Sequence, residues 1–413
     1  MTDTGINADT AYVLNTFFLL FCGSLVMLMA AGFAMLEAGM VRSKSVAVIL
    51  VKNIGLYAIA GIMFYLAGFN LMYDGVDGGF IGHVGLFMPQ DAADAAYSSA
   101  AGWFFQMVFV ATAASIVSGA LAERIKLWPF FVFCIFLTGF MYPLVGAWTW
   151  GGGWLAELGF KDFAGSTIVH GVGGWAALMG AIMLGSRRGR FDENGKARPL
   201  HGSSLPLAAL GTFILWFGWF GFNGGSQLAI ASRDDAMAVG KIFANTNMAA
   251  AGGVCAILLI SYLKSRKVDI GMALNGALAG LVAVTAEPLA PSIGLAIVIG
   301  AIGGGVMYAA AMALEKLKID DVVGAVPVHL AAGIWGTLAV TLSNPEAILW
   351  VQMLGVLATG AFVSTVSLLL WGGMKSLVGI RLRRNHEELG GDLSELGIRA
   401  YNLDYMEVNV SKA

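Results

Sequence analysis

Charged residues are scarce in this 413-residue chain: they make up 12% of it, whereas hydrophobic residues make up 58%. Soluble domains carry about twice that share of charge. The formal net charge is only −2, and no basic arm or acidic tail stands out. Nothing in this pattern would attract nucleic acid. The shortage of charge excludes an ordinary soluble domain and indicates a membrane protein.

Cysteine and histidine are also rare. Cys22, Cys134 and Cys255 lie within apolar runs without metal-ligand spacing, so we expect three core residues and no disulfide framework. The five histidines form no H-E-x-x-H pattern, and two histidines without a third ligand make a poor zinc site. An intramembrane enzyme is therefore a weak hypothesis, and we expect no cofactor and no metal.

Apolar stretches long enough to cross about 30 Å of hydrocarbon are, by contrast, frequent. We predict an all-α membrane protein with a membrane domain over residues 1–376 and a polar cytoplasmic tail over 377–413. The eleven predicted transmembrane helices span 12–39, 46–73, 98–121, 128–150, 165–185, 205–229, 238–262, 270–288, 292–314, 325–342 and 347–376.

Basic residues lie mainly in the loops on one side of this arrangement. Lysine and arginine are enriched in cytoplasmic loops, so this side is predicted to be cytoplasmic. The N-terminus has no basic region of the kind found in signal peptides, and we expect a short exported tail there. A multi-pass protein of the plasma (inner) membrane follows, with its N-terminus outside and its C-terminus inside. The basic loops carry Arg42, Lys44, Arg124, Lys126, 187–198, 264–267, Lys316, Lys318 and 381–384.

One pattern occurs twice. DFAGSTIVHGVGG, residues 162–174, is echoed 159 residues later by DVVGAVPVHLAAG, residues 321–333. The copies share Asp, a Gly three residues on, Val-His at seven and eight, and a Gly at twelve. The first copy begins helix five and the second helix ten, so the two enter the membrane from opposite sides. This predicts inverted halves, helices one to five and six to ten, with helix eleven added outside the repeat.

Helix rise sets the depth of the repeated histidines. If Asp162 and Asp321 cap their helices near opposite interfaces, His170 and His329 lie about 12 Å deeper, near the midplane. We therefore expect facing imidazoles within one protomer. Two unrelated packing histidines are the alternative, but ionisable groups in a membrane interior are costly and usually line a pathway. For the aspartates, helix capping is favoured over a cation-attracting role of Asp162 in an outer vestibule, because both copies carry the residue.

Five runs together resemble the Amt/Mep/Rh family of ammonium transporters over nearly the whole chain. They are GALAERI (119–125), TWGGGWL (149–155), DFAGSTIVH (162–170), GWFGFNGGS (218–226) and VPVHLAAGIWG (326–336). The resemblance implies an eleven-helix protomer, a homotrimer with one pore in each protomer, and conduction of ammonium or ammonia, with methylammonium as a further candidate substrate, past paired histidines.

The resemblance also implies roles for residues above the histidines. Trp150 and Phe109 match the aromatic wall of an outer ammonium site, and Ser226 matches its hydroxyl acceptor. Phe109 and Phe222 match a stacked pair that closes the pore below. Without the motifs, Trp150 would be an interfacial anchor, the phenylalanines would be core residues, and Ser226 would cap a helix end.

Ammonium and potassium are similar in size, so selection by pore diameter would fail. Ammonium differs from potassium because it donates directional hydrogen bonds and has a removable proton. A selective site therefore needs aromatic π faces and a hydrogen-bond acceptor at the outer mouth. The pathway beyond that site must be too dry for an alkali ion. We expect ammonium to lose its proton near the gate and to travel as ammonia, while the proton follows by histidines or water. Conduction of the neutral gas alone is the open alternative.

Two further segments bear on regulation. EELGGDLSELGIRAY, residues 387–401, resembles the cytoplasmic regulatory tail of the family through Glu387, Gly390 and Asp392. That tail packs under neighbouring protomers and can respond to a PII-type nitrogen-signalling protein; a passive tail is the alternative. Glu287 departs from the family pattern and is either a helix-end interaction or a group near the pore or a subunit contact. An ammonium sensor with little or no transport is the second functional hypothesis.

Overall fold

The computed structural model of the protein describes residues 7–401, and this range is folded into helices. Its only β-type pairings are two isolated bridges, Ile125 with Arg381 and Phe191 with Ala197. Residues 1–6, which hold most of the predicted exported tail, and 402–413, the end of the predicted cytoplasmic tail, lie outside the described residues.

Eleven apolar helices coincide with the eleven predicted stretches, within a few residues at most ends. Nine of those in the described range are long and apolar enough to cross a membrane, and α8 and α10 are shorter. The helices are α1 Ala8–Met40, α2 Ser43–Tyr73, α3 Ser99–Ala120, α4 Leu127–Glu157, α5 Ser166–Leu184, α6 Leu205–Gly225, α7 Arg233–Ser265, α8 Ile270–Thr285, α9 Ile293–Lys316, α10 Val326–Leu342 and α11 Leu349–Leu377.

Close helix packing depends on glycines that face a neighbouring backbone. A Cβ at Gly39 of α1 would lie 2.5 Å from the backbone nitrogen of Ala208 in α6. A Cβ at Gly300 of α9 would lie 1.9 Å from the carbonyl oxygen of Ala249 in α7. Small residues let helix backbones approach in this way, and such approach stabilises helix association in lipid.

The prediction that all three cysteines are core residues is wrong for one of them. Cys22 and Cys134 are buried, whereas Cys255 is exposed on α7. All three are free thiols. Cys255 belongs to an apolar run because that run faces outward, where an apolar surface suits lipid as well as a protein core does. The apolar character of a stretch therefore does not distinguish these two environments.

The chain beyond α11 folds back onto the same protomer. A short helix, α12 Arg384–Leu389, is followed by one turn over Asp392–Leu396. The backbone N–H of Val48 donates to the Asp392 carboxylate at 2.9 Å, and Lys44 Nζ donates to the carbonyl oxygens of Glu387 and Glu388. These contacts join the tail to the beginning of α2. We call this the basic side of the molecule, since the basic loops listed above lie there, and the opposite side the acidic side.

The glycine contacts give a stability prediction with a matched control on the same helix. Gly300→Ala forces α9 away from Ala249, and we expect the free energy of unfolding to fall by about 1–3 kcal/mol, as in other overpacked sites. Gly305→Ala should be neutral or slightly stabilising, because a Cβ there meets no atom within 4 Å and alanine favours helix. Thermal unfolding in detergent measures both. Equal stability of the two variants would contradict the close contact.

Candidate functional site

The two repeated histidines meet in the interior. The Nδ1 atoms of His170 and His329 are 3.1 Å apart, and both side chains are buried. Their ring centroids are 5.1 Å apart with planes inclined by 22°. A hydrogen bond between two Nδ1 atoms requires one ring to carry its proton there and the other to carry it on Nε2. The structure thus brings together the pair that the repeat predicts.

Each histidine lies in the first, π-helical turn of its helix, Ser166–Gly171 in α5 and Val326–Ala331 in α10. Such wide turns are rare and recur at functional sites. The glycine of the repeated pattern precedes each turn with positive φ, 108° at Gly165 and 79° at Gly324. Only glycine adopts this backbone readily, so the repeated Asp-x-x-Gly is a helix-start device.

The aspartates of the repeat lie just before the same two helices and accept hydrogen bonds from backbone N–H groups at their starts. The backbone N–H groups of residues 165 to 168 all donate to the Asp162 carboxylate at 2.8–3.1 Å. Gly324 and Val326 donate to Asp321 in the same way. Asp162 is not itself the N-cap residue, which is Gly165; it lies three residues earlier, and its side chain reaches forward to the start of α5.

The Asp162 carboxylate is buried, and its four donors come from its own helix. Burial raises the pKa of Asp162 to about 6, and the backbone N–H groups oppose a larger rise. The carboxylate lies next to the N-terminus of a helix, where negative charge is favourable. This geometry is that of a capping group.

Aromatic rings stack from the histidine pair toward the acidic side. The ring centroids of His170 and Phe222 are 5.4 Å apart. Those of Phe222 and Phe109 are 3.9 Å apart, and the planes of these two phenyl rings are inclined by 25°. Phe109 contacts Trp150 edge-on at 6.1 Å. Both phenylalanines are buried. We call Trp150, Phe109, Phe222, His170 and His329 the ring column.

The Trp150 end of the ring column opens into a cavity of about 630 Å³ on the acidic side, which we call the outer cavity. Phe109, Trp150 and Ser226 all line it. The Ser226 hydroxyl donates to the carbonyl oxygen of Phe222 at 2.8 Å, so its lone pairs can accept a hydrogen bond from a ligand. Trp150 Nε1 donates to the carbonyl oxygen of Asp162 at 2.8 Å, which fixes the indole plane.

Sequence reasoning missed two residues of this region. Gln106 lines the outer cavity one helical turn before Phe109, and its buried side-chain oxygen has no hydrogen-bond partner among the described residues. Trp219 stacks on His170 at 5.0 Å and donates its Nε1 hydrogen to Thr285 Oγ1. The spacing of three residues along α3 and along α6 would have placed both next to the predicted phenylalanines.

A second cavity, about 330 Å³, opens on the basic side. We call it the inner vestibule; Arg187, Arg190, Asn275, Val323 and Gly324 are among the residues that line it.

An ion-pair cluster adjoins the vestibule through Arg187. Arg187 contacts Asp320 at 2.8 Å and Glu123 at 2.8 Å, and Arg42 also pairs with Glu123. Burial would raise the pKa of Asp320, but Arg187 outweighs this and lowers it to about 2. Buried charges require such partners, so the cluster joins the loops after α1, α3, α5 and α9.

Glu287 makes a helix-end interaction, which is the first of the alternatives considered for it above. Its carboxylate accepts from the backbone N–H of Ala290 at 3.1 Å and from Asn344 Nδ2 at 2.8 Å. The residue lies outside the ring column. Across residues 7–401, no group of three or more His, Cys, Asp or Glu side chains converges as a metal site.

The family model described as Ammonium Transporter Family matches residues 17–401. The chain belongs to this family. Ammonium transporter Amt2 of Archaeoglobus fulgidus is 40% identical over 92% of this chain and 87% of its own length. The ammonium transporter of Bacillus subtilis is 34% identical over 94% of this chain and 98% of its own length. With these relatives and its apolar helices, the chain is a multi-pass membrane protein.

Solved structures of the family share the fold. A protein described as a sensor Amt protein superposes with a TM-score of 0.88 at 34% identity, covering 94% of this chain and 99% of that one. Mep2 of Candida albicans superposes with a TM-score of 0.82 at 26% identity, covering 92% of this chain and 89% of the other.

The capping geometry predicts that Asp162 stabilises the fold. Asp162→Ala leaves four backbone N–H groups without their acceptor, and we expect a loss of at least about 2 kcal/mol in the free energy of unfolding. Asp94→Ala, in an exposed position on the acidic side, is the control and should change nothing measurable. Thermal unfolding in detergent compares the two. If Asp162→Ala unfolds at the wild-type temperature, the aspartate does not anchor the start of α5.

Proposed function

We propose that the protein transports ammonium across the plasma (inner) membrane along the ring column, with proton transfer through the histidine pair. The observation that carries this proposal is the continuous sequence of contacts from the outer cavity through Trp150, Phe109 and Phe222 to His170 and His329. The relatives at 34–40% identity are named ammonium transporters, which supports the same substrate here.

The proposed topology has eleven transmembrane helices with the N-terminus outside and the basic side in the cytoplasm. Enrichment of basic residues on one side supports this orientation. The two halves, α1–α5 and α6–α10, are inverted repeats, and the meeting of His170 with His329 supports this relation because corresponding residues of such repeats approach at the pseudo-two-fold axis. Helix α11 is then an addition outside the repeat.

Recruitment of the cation takes place in the outer cavity. The π faces of Trp150 and Phe109 attract a cation, and Ser226 accepts one of its N–H hydrogens. An alkali ion has no N–H hydrogen to donate, so the acceptor favours ammonium and, by the same chemistry, methylammonium.

Passage beyond the gate requires deprotonation. Phe109 and Phe222 are stacked at 3.9 Å, which leaves no space for a hydrated ion between them. Transfer of an intact cation through the apolar interior costs at least a few kcal/mol. Ammonium instead transfers its proton, ammonia moves through as a neutral molecule, and the proton crosses by the Nδ1 hydrogen bond between His170 and His329. Potassium has no proton to transfer and therefore does not pass the gate formed by Phe109 and Phe222.

Partners of this transporter follow from the family. We propose a homotrimer in the bilayer, with one pathway in each protomer, and a PII-type regulatory protein at the cytoplasmic tail. The contacts of the tail with Lys44 and Val48 support a regulatory role, because a conformational change in the tail would alter its hydrogen bonds with α2. In the predicted trimer, the tail would pack under a neighbouring copy of the same chain.

A second candidate function is ammonium sensing. It is favoured by the similarity to the sensor Amt protein, with which the chain shares 34% of its residues and most of its length. Transport is the better proposal because the relatives with 40% identity are transporters and the ring column of this chain reaches from the outer cavity to both histidines.

Current measurements separate the two functions. In proteoliposomes on a solid-supported electrode, an ammonium pulse should give a sustained current and a potassium pulse none. His170→Ala should reduce the ammonium current by at least about tenfold or let potassium pass, because the proton route is interrupted. His201→Ala, in an exposed loop, is the control. Ligand binding without any wild-type current would favour the sensor, and uptake without current would favour conduction of the neutral gas.

The outer site gives a second prediction. Trp150→Leu removes one π face, and we expect the ammonium concentration for half-maximal current to rise by about 2- to 30-fold, as for loss of one cation–π contact. Trp128→Leu is the control, because Trp128 is an exposed tryptophan at the beginning of α4, on the basic side. If the ammonium concentration for half-maximal current is unchanged in Trp150→Leu, the indole does not take part in recruiting the cation.

A further inference from the structure

A carboxylate and an ammonium group lie buried in the membrane domain away from the ring column. Glu37 of α1 and Lys52 of α2 are each only 1% exposed. Both bind Ser118 of α3: its hydroxyl donates to Glu37 Oε2 at 2.7 Å, and Lys52 Nζ donates to its carbonyl oxygen at 2.9 Å. Lys52 also lies 4.8 Å from the ring centre of Phe130. Ser118 thus forms hydrogen bonds with both oppositely charged side chains.

The second oxygen of Glu37, Oε1, has no hydrogen-bond partner among the described residues although it is buried. Asp162 of the same chain shows the contrast, since both of its oxygens accept backbone N–H groups. An unpaired buried acceptor is costly, and a proton or a water molecule would remove that cost. Oε1 of Glu37 therefore has lone pairs available to such a ligand.

The surroundings of Glu37 indicate which ligand this is. Glu37 and His329 line one narrow cavity of about 10 Å³, which is space for the centre of roughly one water molecule. Phe33 lies 6.0 Å from His329, and Glu37 follows Phe33 by one turn of α1, about 6 Å closer to the basic side. The carboxylate is thus beyond the histidine pair on the way to the cytoplasmic face.

The same narrow cavity continues toward the inner vestibule. Asn275, Val323 and Gly324 are wall residues of both. A proton that reaches Glu37 therefore has a short route to water in the vestibule, whereas a proton left on the histidines is enclosed by apolar rings.

We propose that Glu37 accepts the proton from the histidine pair and passes it to the inner vestibule. This step rests on the proposed function, in which ammonium loses its proton above the histidines. An N–H bond of the protonated pair breaks and an O–H bond forms at Oε1, directly or through one water, so that imidazolium and carboxylate become imidazole and carboxylic acid. The acid then returns the proton to water or ammonia in the vestibule. Charge and atoms balance, and no further reactant is consumed.

Lys52 has a positioning role in this scheme. Its charge offsets that of the carboxylate in a medium where an uncompensated ion is costly. Ser118 binds Oε2 of Glu37 and leaves Oε1 without a hydrogen-bond partner among the described residues, in a side chain that lines the narrow cavity. The pair consequently maintains an ionisable acceptor in an apolar interior.

The test measures ammonium-evoked current in proteoliposomes for Glu37→Gln, Glu37→Asp and the double variant Glu37→Gln with Lys52→Gln. Glutamine keeps the acceptor for Ser118 but takes up no proton, so we expect a loss of current of more than about tenfold. The ammonium concentration for half-maximal current should stay within about twofold, because the outer site is untouched. Aspartate keeps a carboxylate and should retain part of the current.

The double variant separates a relay from a structural charge pair. It removes both buried charges, so neither is left uncompensated, and as a relay mutant it should still conduct poorly. Wild-type current in the double variant, or in Glu37→Gln, would overturn the relay and leave the proposed transport intact. Absence of current in the wild-type protein would instead overturn the proposed electrogenic function and the relay with it. Glu193→Gln, at an exposed loop position, is the matched control and should conduct as the wild type does.

Discussion

The hydrogen bond between His170 and His329 is the contact on which the rest of this molecule depends. An imidazole in an apolar interior needs a polar partner, and here each ring is the partner of the other at 3.1 Å. The contact forms only if the starts of α5 and α10 bring both rings to the same point of the interior. Asp162 and Asp321 hold those starts through backbone N–H groups, and Gly165 and Gly324 provide the left-handed residue that the turn requires.

Close packing around the pair determines what can move there. Stacked aromatic rings fill the space above the histidines, and glycines at helix crossings bring the neighbouring backbones within reach of one another. The interior is therefore apolar and narrow, which raises the free energy of any intact cation. Among the buried polar groups, Glu37 and Lys52 are both bound to Ser118, and Glu37 also lines a narrow cavity.

The basic side is organised differently, by charge. Arg187 joins Asp320 to Glu123, and the tail docks on Lys44 and Val48. These contacts connect loops that follow four different helices, and Arg187 among them lines the inner vestibule.

Hydropathy alone located all eleven apolar helices, because the thickness of a bilayer demands about twenty apolar residues per crossing. The repeated Asp-x-x-Gly pattern and helix rise were sufficient to predict that His170 and His329 meet. The paired phenylalanines needed the family resemblance, since two of 25 phenylalanines carry no distinguishing spacing. Only the tertiary structure decided that Cys255 faces outward and that Glu37, Lys52 and Ser118 converge. Those three come from different helices, and an apolar run does not encode which of its faces meets lipid, a neighbouring helix or a cavity.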